Sequence, residues 1–369
     1  MARLLRIRIA GWKSIRDIDP KLELGSLNVL IGGNGSGKSN FISFFRLLHE
    51  MVDERLQTYL GQSGGADSVL HFGSKITPRI DAELEFETEI GPIRYAFALT
   101  HASPDALWIN EENLFLDGPG PRTISISVGG HRESHLRLQA DQCDQSAKIV
   151  SDLLRRFRVF HFHDTSETAK IRQSCYIEAN QSLYSDGGNL AAMLYLYQQT
   201  KPMVYRRIIS MVRKIMPMFD DFVLEPQRLN PKYIMLRWKQ RGSEYIFGPH
   251  QVSDGSLRAM VLITLFLQPH EDLPAAIILD EPELGLHPDA IAFITGLIRS
   301  ASLRTQVILT TQSTTFLDHF EPEKIIVVDV RHGYSLFSRL NTEELKNWLR
   351  RYSVSELWEK NVLGGGPLA

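Results

Sequence analysis

The chain has 369 residues, of which 43% are hydrophobic and 23% are charged, and its 41 basic and 43 acidic residues give a net charge of −2 at pH 7. These values are ordinary for globular proteins and exclude a largely disordered chain. The near-neutral charge excludes a polycation, so any contact with nucleic acid requires a local basic patch. The length allows two domains of common size, or one large domain with an insertion.

The sequence predicts neither export nor membrane insertion. Its only cysteines, Cys143 and Cys175, are too few for a disulfide scaffold or a four-cysteine zinc site, which favours a reducing compartment. The longest nearly apolar run, Ala259 to Leu267, has about half the length that a bilayer-spanning helix needs, so we expect a buried helix. The amino terminus lacks the apolar core of a signal peptide. We therefore expect a soluble cytoplasmic protein without a membrane partner.

The amino-terminal elements predict a strand, a glycine-rich loop and a helix in succession. Leu4 to Trp12 alternate between polar and apolar residues and predict an opening strand. Leu27 to Ile31 predict a buried strand, and apolar residues recur at helical spacing from Phe41 onward. In between, Gly32 to Ser39 fit the pattern G-x-x-x-x-G-K-[ST]. Strand, loop and helix in this order are what a phosphate-binding P-loop requires.

The P-loop pattern assigns a role to each kind of residue in it. Glycines let successive backbone N–H groups face phosphate oxygens, and the following helix directs its positive end at them. Lys38 is expected to reach the β- and γ-phosphates, and Ser39 to bind Mg²⁺. We assign nucleotide binding to Gly32, Asn34, Gly35, Ser36, Gly37, Lys38, Ser39 and Asn40. The alternative is a glycine-rich turn without a ligand.

Alternating residues next predict an antiparallel β subdomain. Apolar and acidic residues alternate from Ile80 to Glu87, and the alternation resumes at Ile93 after a Gly-Pro break. This pattern is typical of a hairpin. Two more strand candidates, near Leu114 and from Ile124 to Val128, extend the same sheet.

A helical insertion follows. The pattern becomes helical at Ser146, is interrupted from Arg158 to Asp164, and is helical again from Gly188 to Met216, where a proline ends it. Strands are expected at residues 222–224, 233–238 and 244–247. Within the interruption, His161, His163 and Asp164 either cluster as metal ligands or have a packing or lid role.

The carboxyl-terminal part alternates helices and strands, which predicts a parallel sheet covered by helices. Helices are expected at residues 257–267 and 288–300, and strands at 276–279 and 306–309. A Gly-Gly-Gly-Pro run at residues 364–367 predicts a loose tail.

An acidic pair, Asp280 and Glu281, follows the strand expected at residues 276–279. Asp280 is suited to bind Mg²⁺ through water and Glu281 to accept a proton from an attacking water, because phosphoryl transfer chiefly needs positioning and charge stabilisation. The alternative is an acidic strand end that caps the next helix. The P-loop upstream favours the catalytic interpretation.

Residues 252–256, with the sequence V-S-D-G-S, look like the signature loop Leu-Ser-Gly-Gly-Gln of ABC-type ATPases. The hydroxyl of Ser253, the exposed backbone of Gly255 and a helix amino terminus make a second phosphate-binding surface. In that family the surface closes on ATP held by the other protomer. Asp254 departs from the pattern, as an acid in place of glycine, and can cap the helix. A plain N-cap role for Ser253 is the alternative.

The order of P-loop, long insertion, signature, Asp-Glu pair and G-L-H-P loop resembles ABC ATPases of the SMC and RecF type. The W-K-S element resembles RecF-like and OLD-like ATPases, and the segments FHFHDTS, DGGNLAA, LDEPELGLHP, VILTTQS and LWEKNVLGGG resemble stand-alone bacterial AAA-type ATPases. A GTPase would require an N-K-x-D motif, which the sequence lacks. The resemblance implies an α/β P-loop NTPase fold of the ABC and SMC-head type, with a mixed or parallel sheet core, an antiparallel β subdomain and a helical lid insertion.

The resemblance also implies roles for residues outside these motifs. Lys13 of the W-K-S element corresponds to a basic residue near the nucleotide, although an ordinary solvated lysine is equally consistent. Gln312 stands where many ABC ATPases have a histidine that senses the γ-phosphate. Because glutamine cannot carry a proton at neutral pH, we expect ATP hydrolysis to be slow or the switch that controls hydrolysis to be altered. Leu286 to Pro288 resemble a loop that crosses to a second protomer, although His287 alone favours a structural role.

The resemblance divides the chain into four segments: an amino-terminal ATPase lobe at residues 1–140, a helical lid at 141–225, a carboxyl-terminal ATPase lobe at 226–345 and a helical tail at 346–369. About 210 residues separate the P-loop from Ser253, which is room for a lid but not for an SMC arm. About 90 residues follow Asp280, too few for the nuclease domain of OLD proteins. We therefore expect any effector to be a separate protein.

A local basic patch makes DNA a candidate partner. Its members lie on a predicted helix and the strands after it: Arg206, Arg207, Arg213, Lys214, Lys232, Arg237, Lys239 and Arg241. Such charges, with aromatic residues between them, can follow a phosphate backbone. A solvated helix face and sheet rim explains the same residues equally well.

Together these features predict an ATPase that uses ATP and Mg²⁺ and forms homodimers, each ATP lying between Lys38 and Ser39 of one chain and Ser253 of the other. Catalysis is assigned to Glu281, Lys38 and Gln312, and Mg²⁺ binding to Ser39 and Asp280. The implied role is bacterial DNA maintenance or antiphage defence through a separately encoded nuclease or toxin. The alternatives are a non-hydrolysing scaffold and a transporter subunit.

Overall fold

The computed structural model describes residues 2–116, 121–142 and 144–366. The chain divides into two compact units, each assembled from separate stretches of sequence. The first unit consists of Met1–Val159, Pro274–Ile278 and Ile308–Ala369. The second unit consists of Phe160–Leu273 and Leu279–Val307. The division into four consecutive segments stays a prediction.

The strands are numbered in chain order. The first nine are β1 Arg3–Trp12, β2 Ile15–Asp17, β3 Leu22–Glu23, β4 Leu27–Ile31, β5 Arg79–Thr88, β6 Gly91–Ala102, β7 Ala106–Leu116, β8 Arg122–His131 and β9 Phe157–Phe160. The following ones are β10 Cys175–Tyr176, β11 Phe219–Phe222, β12 Tyr233–Ile234, β13 Trp238–Gln240, β14 Ile246–Phe247, β15 Ala276–Asp280, β16 Gln306–Thr311, β17 Ile325–Arg331 and β18 Tyr334–Arg339.

The helices are numbered in the same way. They are α1 Lys38–Val52, α2 Leu56–Gln62, α3 Leu136–Asp141, α4 Gln145–Arg155, α5 Leu190–Thr200, α6 Pro202–Ile215, α7 Asp254–Leu267, α8 Pro288–Ser302, α9 Thr314–Leu317, α10 Thr342–Leu349 and α11 Val354–Glu359. Short 3₁₀ turns occur at Lys170–Arg172, Pro249–Gln251 and Pro322–Lys324.

The first unit contains a seven-stranded antiparallel sheet in the order β2-β1-β5-β6-β7-β8, with β3 paired to β1. Side chains of β5 alternate between buried and half-buried along most of the strand, as period-two geometry requires. Leu84 of β5 lies opposite Tyr95 of β6, and both side chains are buried. The predicted hairpin is confirmed, and β7 and β8 are the two further strands that were expected.

A second, six-stranded sheet has the order β18-β17-β4-β16-β15-β9. Strand β17 pairs in parallel with β4 and antiparallel with β18, so this sheet is mixed. Every residue of β4 is buried, which explains why all but one are apolar. The exception, Asn28, donates to Gly25 O at 2.9 Å. The mixed sheet and the antiparallel sheet confirm the predicted α/β fold class.

Helix α1 packs its aromatic face into the core of the first unit. Phe41, Phe44 and Phe45 are fully buried, and each contributes about 1.5–3 kcal/mol through burial. The Phe44 ring meets Trp12 edge-on at a centroid distance of 5.7 Å and stacks with Phe97 at 6.3 Å. The helix that follows the P-loop is thereby anchored to strands β1 and β6.

The second unit is built on helices α5 to α8 and two small sheets, β10-β12 and β11-β13-β14. Helix α7 buries nearly all of its side chains from Leu257 onward, so the apolar run is the buried helix that was expected. The helical stretch from Gly188 to Met216 is interrupted at Lys201, because Pro202 begins α6 and has no N–H to continue α5. The strand expected at residues 233–238 is likewise divided, since Ile234 pairs with Cys175 whereas Trp238 pairs with Phe222.

The prediction of a loose glycine-rich tail is wrong for Gly364, Gly365 and Gly366. The carbonyl of Gly365 accepts hydrogen bonds from Gly33 N at 3.0 Å and Trp358 Nε1 at 3.1 Å. Pro367 and Cys143 lie outside the described residues, and Cys175 has a half-buried free thiol. Within the described part of the chain, no helix has both the length and the apolar character to cross a membrane.

Candidate functional site

The P-loop follows β4 and leads into α1 within the first unit. Gly37 is the N-cap residue of α1 and has a φ of 104°, a left-handed conformation that favours glycine. A Cβ atom there would lie 2.0 Å from Ser335 Oγ and 2.6 Å from Ser14 Oγ, so a larger residue does not fit. The first turn of α1 contains no acidic side chain. A helix start of this kind attracts anions.

The polar side chains of the P-loop differ in exposure and in hydrogen bonding. Lys38 is only 4% exposed, and its Nζ donates to the carbonyls of Gly32 at 2.6 Å and Gly33 at 3.0 Å. Ser36 Oγ is buried and has no hydrogen-bond partner among the residues that the structure describes. The exposed members of the loop are Asn34, Gly35 and Ser39. An ammonium and hydroxyl groups at a helix start suit phosphate oxygens.

The W-K-S element lies against the start of α1. Trp12 Nε1 donates to the carbonyl of Asn40 at 2.8 Å, and Asn40 Nδ2 donates to Ser14 Oγ at 2.7 Å. Lys13, between them, has a φ of 46°, which is uncommon for a residue with a side chain. Burial lowers the pKa of the Lys13 ammonium, and the charge of Arg46 lowers it further. A contact between Lys13 and the nucleotide stays a prediction.

Gln312 follows strand β16, which neighbours the P-loop strand β4 in the six-stranded sheet. The side chain is half-buried. The next residue, Ser313, caps helix α9 by accepting from Phe316 N at 3.2 Å. Gln312 therefore occupies the short connection between a sheet strand and a capped helix.

In the second unit, the signature loop is held by a buried arginine. The side chain of Arg172 is 6% exposed and donates to the carboxylate of Asp254 at 2.6 Å, to Val252 O at 3.1 Å and to Pro249 O. It also donates to Thr165 O at 2.7 Å. The hydrogen bond from Arg172 holds the pKa of the Asp254 carboxyl below its usual range.

Ser253 is the N-cap residue of α7, and its hydroxyl accepts from Ser256 N at 3.3 Å. The helix cap is therefore Ser253, and the cap role suggested for Asp254 is wrong, because Asp254 lies inside the first turn and pairs with Arg172. A Cβ atom on Gly255 would lie 2.4 Å from Gly285 O. The start of α7 thus touches the loop that follows the Asp-Glu pair.

A second arginine joins the same loops. Arg258 of α7 donates to Phe162 O at 3.0 Å, to His163 O at 2.7 Å and to Leu284 O at 2.9 Å. It also reaches Thr165 Oγ1 at 3.2 Å. Arg172 and Arg258 both contact Thr165, so the F-H-F-H-D-T-S segment and the signature loop form one connected network.

The acidic pair lies at the carboxyl end of β15. His163 Nε2 lies 2.9 Å from Asp280 O, which ties the strand end to the network just described. Glu281 has a φ of 42°, in the left-handed region, which costs about 1–3 kcal/mol for a residue with a side chain. Backbone strain of this kind concentrates at functional positions.

The structure favours the packing role of the histidine pair over the metal interpretation. The rings of His161 and His163 are 6.2 Å apart, and Asp164 accepts from Ser166 N at 3.1 Å and Ser166 Oγ at 2.7 Å. Hydrogen bonding from Ser166 lowers the pKa of Asp164. Across residues 2–116, 121–142 and 144–366, no group of three or more His, Cys, Asp or Glu side chains is arranged to hold a metal ion.

His287 has a structural role, as the N-cap residue of α8 whose Nδ1 accepts from Asp289 N at 3.3 Å. Several members of the basic patch are also engaged within the second unit. Arg213 donates to Asp220, Arg237 pairs with Glu225, and the Lys214 ammonium lies 5.7 Å from the Phe293 ring. The two ion pairs offset part of the positive charge that the patch offers to a phosphate backbone.

A protein-family model described as "AAA domain, putative AbiEii toxin, Type IV TA system" matches residues 27–126 and 131–318. These ranges include the P-loop, the signature and the acidic pair, and they cover most of the chain. The chain belongs to this AAA domain family. No curated protein matches the sequence at a significant level.

SMC heads are among the solved structures that are similar to this AAA domain. An SMC head bound to the C-winged helix domain of ScpA has a TM-score of 0.62 and 15% identity over 93% of this chain and 99% of that one. An SMC head from Pyrococcus furiosus, bound to the C-terminal domain of ScpA, has a TM-score of 0.63 and 14% identity over 95% and 99% of the two chains. At this identity the similarity establishes the fold, a P-loop ATPase fold of the SMC-head type.

The predicted site residues of this AAA domain fall into one group in each unit. The first unit contains Lys13, the P-loop residues Gly32 to Asn40, and Gln312, and the second contains Ser253, Gly255, Asp280 and Glu281. In the second unit, Arg258 and His163 connect the signature helix with the acidic strand end. The sequence did not reveal the roles of Arg172, Arg258 or Ser335, because each has hydrogen-bond partners that are distant in sequence.

Proposed function

We propose that the protein binds and hydrolyses ATP with Mg²⁺ and that two copies close on two ATP molecules. The observation that carries the proposal is the P-loop itself, in which Gly37 has a left-handed backbone at the start of a long helix and Lys38 lies buried on the loop carbonyls. Such an arrangement suits phosphate groups. The family match and the SMC-head fold support the same conclusion.

In this proposal Lys38 binds the β- and γ-phosphates, and the backbone of Gly32 to Asn40 surrounds them. Glu281 accepts the proton of the attacking water. The hydroxyl of Ser39 and the carboxylate of Asp280 would hold Mg²⁺, since both are oxygen donors of the kind that the ion prefers, and the ion supplies neutralisation of phosphate charge. Gln312 positions water or phosphate without taking up a proton. Lys13 lies beside the nucleotide.

The second copy contributes Ser253 and Gly255 of its signature loop, whose helix start attracts the phosphates from the other side. Such an ATP-bridged dimer would open when Glu281 promotes hydrolysis. We further propose that this cycle regulates a separately encoded effector, a nuclease or toxin, in bacterial DNA maintenance or antiphage defence. Two similar SMC heads are themselves bound to domains of ScpA, which supports a partner protein.

The test compares the wild-type chain with Lys38→Ala and Glu281→Gln. We expect Lys38→Ala to weaken ATP binding at least about thirtyfold, a loss of roughly 2 kcal/mol. Glu281→Gln should still bind ATP but release phosphate about a hundredfold more slowly, because it lacks the general base. With ATP, Glu281→Gln should accumulate as a dimer in analytical ultracentrifugation.

The rates of phosphate release distinguish an ATP-hydrolysing enzyme from a non-hydrolysing scaffold. A non-hydrolysing scaffold would be favoured if wild type and Glu281→Gln both form ATP-dependent dimers and both release negligible phosphate. Gln312, in place of the usual histidine, also favours a scaffold. Equal ATP affinity of wild type and Lys38→Ala would contradict nucleotide binding at the P-loop. The effector proposal is tested by sequencing the neighbouring genes and co-expressing any nuclease or toxin found there with wild type or with Glu281→Gln. Equal effector activity with the two variants, or no such gene, would contradict it.

A further inference from the structure

Residues 353–366, which we name the carboxyl-terminal hook, pack on the P-loop within the first unit. The hook begins with a capping box, in which Ser353 and Glu356 cap α11 reciprocally. Leu357 is fully buried and Trp358 is 5% exposed. A segment with a capped helix and buried side chains has a fixed conformation, unlike a glycine-rich linker.

Gly365 connects the hook to the P-loop. Its carbonyl accepts from Gly33 N at 3.0 Å and from Trp358 Nε1 at 3.1 Å. Gly365 has a φ of 65°, and a Cβ atom there would lie 2.8 Å from both Val328 O and Val327 Cγ1. Only glycine therefore lets this carbonyl reach Gly33 without displacing strand β17.

Gly33 is one of the two P-loop residues whose carbonyls accept hydrogen bonds from Lys38. Its carbonyl accepts from Ser36 N at 3.2 Å and from Lys38 Nζ at 3.0 Å, while its N–H is held by Gly365. The N–H of Gly33 and the carbonyl of Gly32 lie in one rigid peptide plane. Holding the Gly33 N–H therefore also holds the Gly32 carbonyl, which accepts from Lys38 Nζ at 2.6 Å. The Gly365 contact therefore restrains the backbone that supports Lys38.

The other end of the hook is bound near Gln312. Ser355 donates to the carboxylate of Asp318 through its backbone N at 3.0 Å and its Oγ at 2.5 Å. Asp318 ends helix α9, whose cap residue Ser313 directly follows Gln312. The hook thus connects the start of the P-loop with the helix after the glutamine, and all of these residues belong to the first unit.

We propose that the hook sets the conformation of the P-loop for nucleotide binding, with Gly365 and Trp358 as positioning residues. This inference rests on the proposed ATP binding at Lys38. The hook touches the loop at Gly33 rather than at the exposed residues Asn34 and Ser39 that face the solvent, so it acts through the backbone. Losing the contact should weaken ATP binding while the rest of the fold remains.

Three variants of the full chain test the proposal. Trp358→Phe keeps an aromatic ring in the buried position and removes the five-membered ring of the indole with its Nε1 donor. Gly365→Ala places a methyl group against Val327 and Val328. Gly364→Ala is the matched control, because Gly364 also has a left-handed backbone, with a φ of 76°, yet a Cβ there would meet only Asp329 Oδ2 at an ordinary 3.7 Å.

Two measurements are made on each variant. Amide hydrogen exchange of the nucleotide-free chain reports whether peptides containing Gly33 to Ser36 remain protected, and a titration with ATP and Mg²⁺ gives the Kd. We expect Trp358→Phe to raise the Kd about threefold to tenfold, as the loss of one hydrogen bond implies. Gly365→Ala should raise it at least about tenfold. Both should speed exchange in the P-loop, whereas Gly364→Ala should change the Kd less than about twofold.

Each other outcome contradicts the proposal in a different way. Unchanged P-loop exchange in Trp358→Phe and Gly365→Ala would show that the hook does not restrain the loop. Faster exchange with an unchanged Kd would show restraint without a role in nucleotide binding. If the wild type binds ATP no better than Lys38→Ala, the proposed function fails, and the role of the hook in binding fails with it. If Gly365→Ala does not fold, Trp358→Phe decides the result.

Discussion

The P-loop of the first unit and the signature region of the second unit are built by opposite means. The P-loop is shaped by glycines and by backbone hydrogen bonds, and its side chains Ser36, Lys38 and Ser39 are suited to a ligand. The signature region is held by the guanidinium groups of Arg172 and Arg258, which satisfy carbonyl groups of several loops at once. The first arrangement leaves side chains for binding, and the second uses them for folding.

This difference predicts different responses to substitution. A buried guanidinium with several acceptors contributes strongly to stability, because removing it leaves carbonyl groups without partners. A buried hydroxyl without a partner contributes little to stability, and its removal mainly affects a ligand. Substitutions therefore distinguish side chains that stabilise the fold from side chains that are suited to a ligand.

The largest effect is expected for Arg172→Met, which keeps an unbranched side chain but removes every donor. Three backbone carbonyls and the Asp254 carboxylate lose a partner, so the free energy of unfolding should fall by about 3 kcal/mol. Urea denaturation measures the change. The control is Arg228→Met, because Arg228 is exposed in the same unit. Similar midpoints for the two variants would contradict a structural role for Arg172.

A smaller effect is expected for Ser36→Ala, and on binding rather than folding. Ser36 Oγ has no hydrogen-bond partner within the described residues, so the free energy of unfolding should change by less than about 0.5 kcal/mol. The Kd for ATP should rise about threefold to tenfold, because one hydrogen bond to phosphate is lost. Calorimetric titration and urea denaturation separate the two effects. If Ser36→Ala instead lost much stability and kept its affinity for ATP, Ser36 would serve the fold and not a ligand.

The smallest effect concerns the pH dependence of stability in the first unit. Glu112 is fully buried, and its carboxyl group accepts from Tyr95 Oη at 2.6 Å, Ser134 Oγ at 2.5 Å and His135 N at 3.1 Å. Burial raises the pKa of Glu112 in the folded state. Its protonated form therefore stabilises the fold below the unfolded pKa, and this contribution is lost as pH rises through the folded pKa.

The measurement is a series of urea denaturations of wild type and Glu112→Gln between about pH 5 and pH 8, the range above the ordinary glutamate pKa. The unfolding free energy of the wild type relative to Glu112→Gln, whose amide stays neutral, should decrease as pH rises. A difference that is constant with pH would mean that Glu112 has the same pKa in the folded and unfolded chains.

The sequence predicted the P-loop, the acidic pair and the antiparallel hairpin because their signals are local. Gly32 to Ser39 are contiguous, and the alternation of β5 depends only on neighbouring residues. The role of Arg172 was not predictable, because its acceptors at Thr165 and Val252 are far apart in sequence. The glycines at the end of the hook, Gly364 to Gly366, were predicted as part of a loose tail for the same reason. Glycine-rich composition is typical of linkers, and Gly33, the partner of Gly365, lies near the other end of the sequence.

The hydrogen bond between Gly33 and Gly365 can form only after Gly365 has been synthesised. The P-loop is synthesised before the hook, and the residue that restrains it is added about 330 positions later, which takes roughly 20 to 60 seconds at ordinary rates of protein synthesis. During that interval the nascent chain has the glycine-rich motif but not the contact that holds it. Full affinity for nucleotide should therefore arise only after translation has passed the hook, so that unfinished chains do not compete for ATP.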